Sequence, residues 1–517
     1  MNAARTVYHI ARADFLERVR RYSFLVMLGA VVFLGYQAAI GNINVQLGNY
    51  RGEFNSAWLG SMMAIVGSFF LGWFGFYLVK GSVARDRETG VGQIIATTPL
   101  TRPLYMFGKW VSNFSVLIGM VIILAIVSIT IQLFAGESKE FDFFALLTPF
   151  IFIALPMLAL TAALALLFES IGFLQDGFGN LVYFVLFGFI ISVAVTAGKD
   201  NPELDPVGFD LLQQSMGEAA KSAFPDYGGE FVLGNTDTPI TGVFHWSGVD
   251  WTFDIALNRL LFLGAAFVLA LVSSVFFDRF DAAPRHPGRT KASASRLAPE
   301  PVAITRARAE IRLTPLNVRH KGFAFSQVVL MELKLLIKGK RWWWFAVAAG
   351  LIGAAFLLPV ETVRAFILPI TWLWPVLIWS ALGNREVRYN THQMVFSSAA
   401  PLRRQLPAAW LAGFIVTVLT GSGAAIRLFS VGDIPGLVAW LSGALFIPSL
   451  ALALGIWSSS SKLFEVLHVF LWYLVINGVT AVDYPGANSD GNVGFFLTLS
   501  MALIALSFIG RARQIQN

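Results

Sequence analysis

The 517-residue chain has no cysteine, which excludes disulfides, thiolate nucleophiles and zinc–sulfur sites. Charge is scarce as well: Asp, Glu, Lys and Arg make up 13% of the residues against 56% hydrophobic, at a mean hydropathy of +0.66. That is more apolar material than a soluble core buries, so the chain reads as an integral membrane protein. No G-x-x-x-x-G-K-[ST] phosphate loop occurs; Gly108-Lys109 is followed by Trp110 and stands after Pro103, which cannot cradle a nucleotide. Leu441-Ser442-Gly443 looks superficially like an ATPase signature but lies inside an apolar run. H-E-x-x-H is missing and the six His are scattered, which removes the zinc-protease pattern. The chain is thus expected to be no enzyme and to hold no cofactor or metal itself.

What is present is a series of long apolar runs. About 20 such residues span a bilayer once, and runs at 23–41, 57–80, 109–134, 145–168, 179–197, 255–277, 342–360, 366–383, 408–427, 435–457, 463–482 and 492–510 predict twelve spans. The first run follows the charged stretch Arg5 to Arg21 with no small-x-small cleavage site, and reads as a retained anchor. The loops alternate in charge. Arg12, Arg18, Arg20, Arg21, Arg85, Arg87, Arg102 and Lys109 fall on one side, together with Arg279 to Arg312, Lys338, Lys340, Arg341, Arg385, Arg388, Arg403, Arg404, Arg511 and Arg513. Loop 198–254 on the other side is acidic. The positive-inside rule then predicts a multi-pass protein of the cell (inner or plasma) membrane with both termini cytoplasmic. The net charge of +7 is accounted for by topology, and nucleic acid is not an expected partner.

Residues 281–316, rich in Ala, Pro, Arg and Ser, read as a cytoplasmic linker between a first six-span half, 1–280, and a second, 317–517. Each half opens on an amphipathic segment: Val7, Ala11, Phe15 and Val19 amid Arg and Glu, and Val329, Leu333, Leu336 and Ile337 amid Lys. Each also has a basic loop after its second span, ending in Thr98-Pro99-Leu100-Thr101-Arg102 and Ala400-Pro401-Leu402-Arg403-Arg404. The expected fold is therefore an all-α polytopic membrane protein of about 12 transmembrane helices in two six-helix repeats, each with an N-terminal interfacial helix.

Within the first basic loop, Val91, Ile94 and Ile95 fall on one helical edge behind a charged start, Arg85-Asp86-Arg87-Glu88, and Thr98-Pro99 stops that short helix. On Arg87-Glu88-x-Gly90, the apolar edge, Thr98-Pro99-Leu100 and Gly108-Lys109, together with the interfacial helix and six-span plan, the chain resembles the type-2 permeases of ABC transporters over nearly its whole length. The resemblance implies a permease subunit, an exporter by family alone, whose cytoplasmic coupling helices dock on a separate ATP-binding subunit in two copies, with ATP and Mg held by that subunit. The contact residues it implies are Arg85, Arg87, Glu88, Gly90, Val91, Ile94, Pro99 and Arg102, then Arg385, Glu386, Arg388, Pro401, Arg403 and Arg404. The second loop departs from the pattern: Arg385-Glu386 keeps an acid–base pair, but no counterpart of Gly90 is evident.

Two other readings remain at this point. A secondary carrier of the major facilitator type shares six plus six spans, but its loop motif is one residue out of register with Gly81 to Arg87, and no Asp, Glu or His other than His468 lies well inside a span. A non-transporting scaffold or sensor is the other. His468 and Asn477 fit helix–helix hydrogen bonding better than a substrate site, and Arg341 with Trp342-Trp343-Trp344 reads as an interfacial belt. Loop 198–254 can form a lid or meet an envelope partner, and the remaining partners are membrane lipids.

Overall fold

The computed structural model describes residues 3–41, 43–175, 177–197, 204–234, 239–280, 325–340, 342–398, 400–476, 478–488 and 492–516. The expected linker 281–316, Arg341 and Asn477 lie outside these residues.

The N-terminal part runs α1 (Ala3–Val19), α2 (Tyr22–Ala39), α3 (Ser56–Val79), α4 (Ser82–Glu88), α5 (Val91–Ala96) and α6 (Arg102–Ala135). It continues through α7 (Phe143–Pro149), a π-helical turn (Phe150–Ala154), α8 (Leu155–Ser170), α9 (Gly177–Ala197), α10 (Phe209–Ala223) and α11 (Phe253–Phe276). The C-terminal part comprises α12 (Phe325–Ile337), α13 (Trp342–Leu357), α14 (Val360–Thr362), a second π turn (Val363–Ile367), α15 (Leu368–Leu373), α16 (Val376–Trp379), α17 (Arg385–Arg388) and α18 (His392–Phe396). It ends with α19 (Pro401–Ser430), α20 (Ile434–Ser458), α21 (Lys462–Ile476) and α22 (Val493–Gln516).

Every apolar run of the sequence is helical, but twelve membrane-length helices do not result. Among the described residues nine helices are long and apolar enough to cross, or ten if α1 and α2, bent by 74°, count as one span. The shortfall has a geometric cause: α13 has 16 residues and α21 has 15, so at 1.5 Å per residue each covers roughly 24 Å of a ~30 Å hydrocarbon core. The run 366–383 carries the π turn Val363–Ile367 and Pro375, yet Val360–Trp379 still counts among the nine.

Helix ends are set by local chemistry. Asn55 Oδ1 accepts from Trp58 N at 2.9 Å and starts α3, while its Nδ2 donates to the Trp246 carbonyl at 2.8 Å. Close helix approach relies on missing side chains: a Cβ at Gly60 would lie 2.3 Å from the Leu146 carbonyl, and one at Gly455 would lie 1.9 Å from that of Leu382. The two parts pack by parallel rules. In the first, α6 rests against α1, α3 and α8, and α11 lies along α8; in the second, α19 rests against α12, α13 and α20, and α22 lies along α20. They meet where α21 contacts α9 and α3.

The long acidic loop builds a small cap at the opposite end from the basic loops. Strand β1 (Asn44–Gln46) pairs antiparallel with β3 (Val232–Gly234), and β2 (Tyr50–Gly52) pairs parallel with β4 (Gly242–Phe244). Tyr50 stacks on Phe224 at 4.2 Å. Asp205 caps α10 through the amides of Gly208, Phe209 and Asp210, and Arg259 Nη1 of α11 donates to its carbonyl. The cap is thereby riveted to a membrane helix.

Candidate coupling interface

The loop between α3 and α6 folds into two short helices separated by Gly90, whose φ of +76° glycine adopts without strain. The inner side of α4 is locked. Glu169, at the end of α8, accepts from the amides of Gly81 (2.7 Å), Ser82 (3.1 Å), Val83 (2.7 Å) and Ala84 (3.2 Å), the orphan donors of a helix start. Asp86 is buried and accepts from Tyr105 OH at 2.7 Å. Lys109 Nζ lies 2.7 Å from both Asp86 Oδ2 and Asp14 Oδ2, and Arg85 pairs with Asp14 (3.6 Å) and with Glu17. An ion cluster, buried at Lys109 and Asp86 and partly exposed at Arg85, Asp14 and Glu17, therefore fastens the N-terminal helix α1, the loop helix α4 and the long helix α6 to one another. Removed from water, such charges stay put only because each is matched.

The outer side is free. Arg87 reaches Gln175 at 3.5 Å and Glu88 is exposed, as are Pro99 and Arg102. Val91 and Ile94 are 43% and 67% exposed, whereas Ile95 turns partly inward against the core, so the apolar edge that projects is two residues wide, not three. Beneath it, Gly92 sits on Phe280: a Cβ there would meet the ring at 2.4 Å. Arg279 Nη2 donates to the Thr98 carbonyl, so the residues just after α11 strap the loop.

The second loop repeats this architecture at a constant register of 300 residues. Arg385 pairs with Glu332 on α12 as Arg85 pairs with acids on α1. Glu386 is buried and accepts from Gln405 at 2.5 Å, in the place of Asp86 and Tyr105. Trp110 Nε1 donates to the Ala159 carbonyl at 3.1 Å, and Trp410 Nε1 to Ser449 Oγ at 2.9 Å. Asn390, φ +54°, holds the left-handed position of Gly90, the counterpart not evident in the sequence. This register corrects two alignments. Arg385-Glu386 corresponds to Arg85-Asp86 rather than to Arg87-Glu88, because it is the buried acid that recurs. Pro99 lies in the turn before α6, whereas Pro401 is the first residue of α19, so these prolines are not equivalent. Arg388, Arg403 and Arg404 are exposed, with Tyr389 and Met394 (66% and 72%) projecting beside them.

One difference is electrostatic. In the second loop the cation facing the buried acid is Arg511 of α22, whose Nη2 lies 3.3 Å from Glu386 Oε2, while position 409 is alanine. Burial raises the Glu386 pKa, but Arg511, a backbone hydrogen bond, Arg385 and Gln405 outweigh it and hold the carboxyl below the usual range. Sequence reasoning missed Asp14, Asp86, Tyr105, Glu169, Glu332, Gln405 and Arg511 as partners in these nodes. The recoverable signal was the equal spacing of Arg85 to Trp110 and Arg385 to Trp410.

Residues 8–282, more than half of the chain, match the family model described as ABC-2 family transporter protein. The chain belongs to the ABC-2 transporter family. No curated protein and no solved structure matches it. The match begins in α1 and ends just past Phe280, so it takes in most of that helix, the first loop and its strap together. This ABC-2 permease is accordingly a multi-pass membrane component of an ABC transporter, a class that works with an ATP-binding subunit.

Proposed function

We propose that this ABC-2 permease is the transport subunit of an ATP-driven exporter built from two six-span halves, 1–280 and 317–517, with 281–316 as their cytoplasmic connection. In this reading α4–α5 and α17–α18 are the coupling helices, both termini are cytoplasmic in the cell membrane, and two copies of a separate ATP-binding subunit carry ATP and Mg. The excess of Lys and Arg on the loops that bear these helices supports that orientation. Export follows the family resemblance.

The observation that carries the reading is the two-sided construction of the loop. Its outer side offers exposed Val91 and Ile94 beside Glu88 and Arg87, while its inner side is fixed by Glu169, Lys109 and Asp14 to three membrane-associated helices. A partner closing on the outer side moves a rigid element rather than a flexible loop, as transmission of a domain closure requires. The test is gentle purification from native membranes. A soluble subunit that hydrolyses ATP is expected in stoichiometric amount; its reproducible absence with intact permease overturns the reading in favour of a secondary carrier or scaffold.

A further inference from the structure

The two parts meet near the basic end through a polar cluster that the coupling loops do not contain. Asn180 and Glu465 are the fourth residues of α9 and α21. Asn180 Nδ2 donates to Glu465 Oε2 at 2.6 Å, so the same position of two corresponding helices pairs across the interface. The next helical turns carry corresponding contacts too: Tyr183 OH donates to the Gly72 carbonyl at 2.5 Å, and His468 Nε2 lies 3.0 Å from that of Trp372. Lys80, which ends α3, donates from Nζ to Asn180 Oδ1 at 2.7 Å and to the Leu174 carbonyl at 3.0 Å. Lys462 Nζ returns the link by donating to the Lys80 carbonyl at 2.9 Å. Gly177 leaves the necessary room, since a Cβ there would stand 2.9 Å from Glu465 Oε1.

Deeper in the membrane the interface is aromatic. Trp73 packs on Phe184 and Tyr473 at 4.9 and 4.7 Å, and Phe74 on Phe470 at 5.1 Å. Such a layer is sealed by packing alone. The polar cluster is different: it is held by hydrogen bonds of buried groups, which are stable when made and costly when half-made, and so has two states rather than a continuum. It is also continuous with the coupling loop, because Lys80 is followed directly by Gly81 and Ser82, whose amides Glu169 holds.

We propose that Asn180 and Glu465, clamped by Lys80 and Lys462, form a latch that closes the basic end of the passage between the halves and is released when α4 moves. This rests on the passage lying between the halves, as in the proposed function. Asn180 and Glu465 are then positioning residues whose exchange of hydrogen bonds for water admits solvent to the helix turn above them. Val469, one turn beyond Glu465 on the same helix, is 3% exposed and reports that event.

The chain has no cysteine, so Val469→Cys supplies a single thiol in the full-length protein. In sealed vesicles its reaction with a charged, membrane-impermeant methanethiosulfonate from the basic-loop side is expected to be slow. Glu465→Ala and Asn180→Asp should each accelerate it about tenfold, the second by setting two carboxylates together, whereas Glu465→Gln, which keeps an acceptor, should stay within about twofold of the parent. Equal rates in all four, at equal amounts of inserted protein, overturn the latch. Because the labelling needs no ATPase, loss of the partner subunit on purification counts against the proposed function and leaves this result standing.

Discussion

The two basic loops solve one problem with different residues. Each buries an acid, Asp86 or Glu386, beneath the loop helix, and each donates to it from the first turns of the following long helix, through Tyr105 or Gln405. The neutralising cation comes from α6 in the first loop, as Lys109, and from α22 in the second, as Arg511. What the comparison teaches is that the conserved requirement is a matched charge at that point in space, not a residue at that point in the chain. A buried carboxylate without a partner is costly, so either helix can supply the cation but one must.

The sharpest way to break this comparison is to remove the cation. Lys109→Ala strips Asp86 of its cation and leaves Asp14 with Arg85 alone, and is expected to cost about 3–5 kcal/mol, the largest effect in the molecule outside its apolar core. Ser274 is buried on α11 as Arg511 is on α22, and matching the buried positions of the two helices superposes them. Adding Ser274→Arg to Lys109→Ala should therefore recover part of the thermal stability in detergent. No recovery, with Arg511→Ala still destabilising, shows that the equivalence of the two nodes is wrong. The Glu386 side has a pH counterpart. Its native pKa is depressed, so its stabilisation is complete above the unfolded glutamate value near 4.3 and is lost as pH falls through the native one. Glu386→Gln should flatten that acid limb of the melting profile.

The loops also differ in how their helices begin. Glu169 caps α4 with four backbone amides, whereas the corresponding helix α20 ends in Ser458 and Ser459 and presents no carboxylate to α17. Glu169→Gln is expected to cost on the order of 2 kcal/mol and to loosen only the first loop, read as faster proteolysis near 81–97 with 383–398 unchanged. Equal loosening of both loops would mean the halves are more tightly coupled than their separate anchors imply. A smaller effect belongs to the strap: Gly92→Val should cost about 1–2 kcal/mol by displacing Phe280, and Phe280→Ala added to it should relieve the clash.

The sequence pattern carried the helical membrane class, the family, the position of both loops and the exposed Val91 and Ile94, because bilayer length and helical periodicity are local properties. It misjudged what depends on three dimensions. Asp14 and Glu332 look like ordinary polar-face residues of amphipathic helices, yet Asp14 faces buried Lys109 and Glu332 is itself buried against Arg385. Gly90 and Asn390 share a backbone conformation that no residue-identity match reveals, although Asn is among the few side chains that tolerate it. The count of twelve is not reproduced for a further reason: hydropathy counts apolar residues, but α13 and α21 stop short of membrane length and α1 and α2 meet at a 74° bend.

The smallest structural effect probes the largest functional claim. At the 300-residue register, exposed Glu88 stands where the second loop has exposed Arg388, and Val91 and Ile94 where it has Thr391 and Met394. The outer surfaces thus differ in charge sign at that position although their buried anchors match. Glu88→Arg should leave stability within about 0.5 kcal/mol, since it touches no buried group. If each surface is fitted to its own docking site, the change places an Arg opposite a site shaped for an acid, and ATPase association should weaken at low salt and less at high salt. Unchanged association together with unchanged flux removes Glu88 from the docking surface and leaves Val91 and Ile94 to carry it.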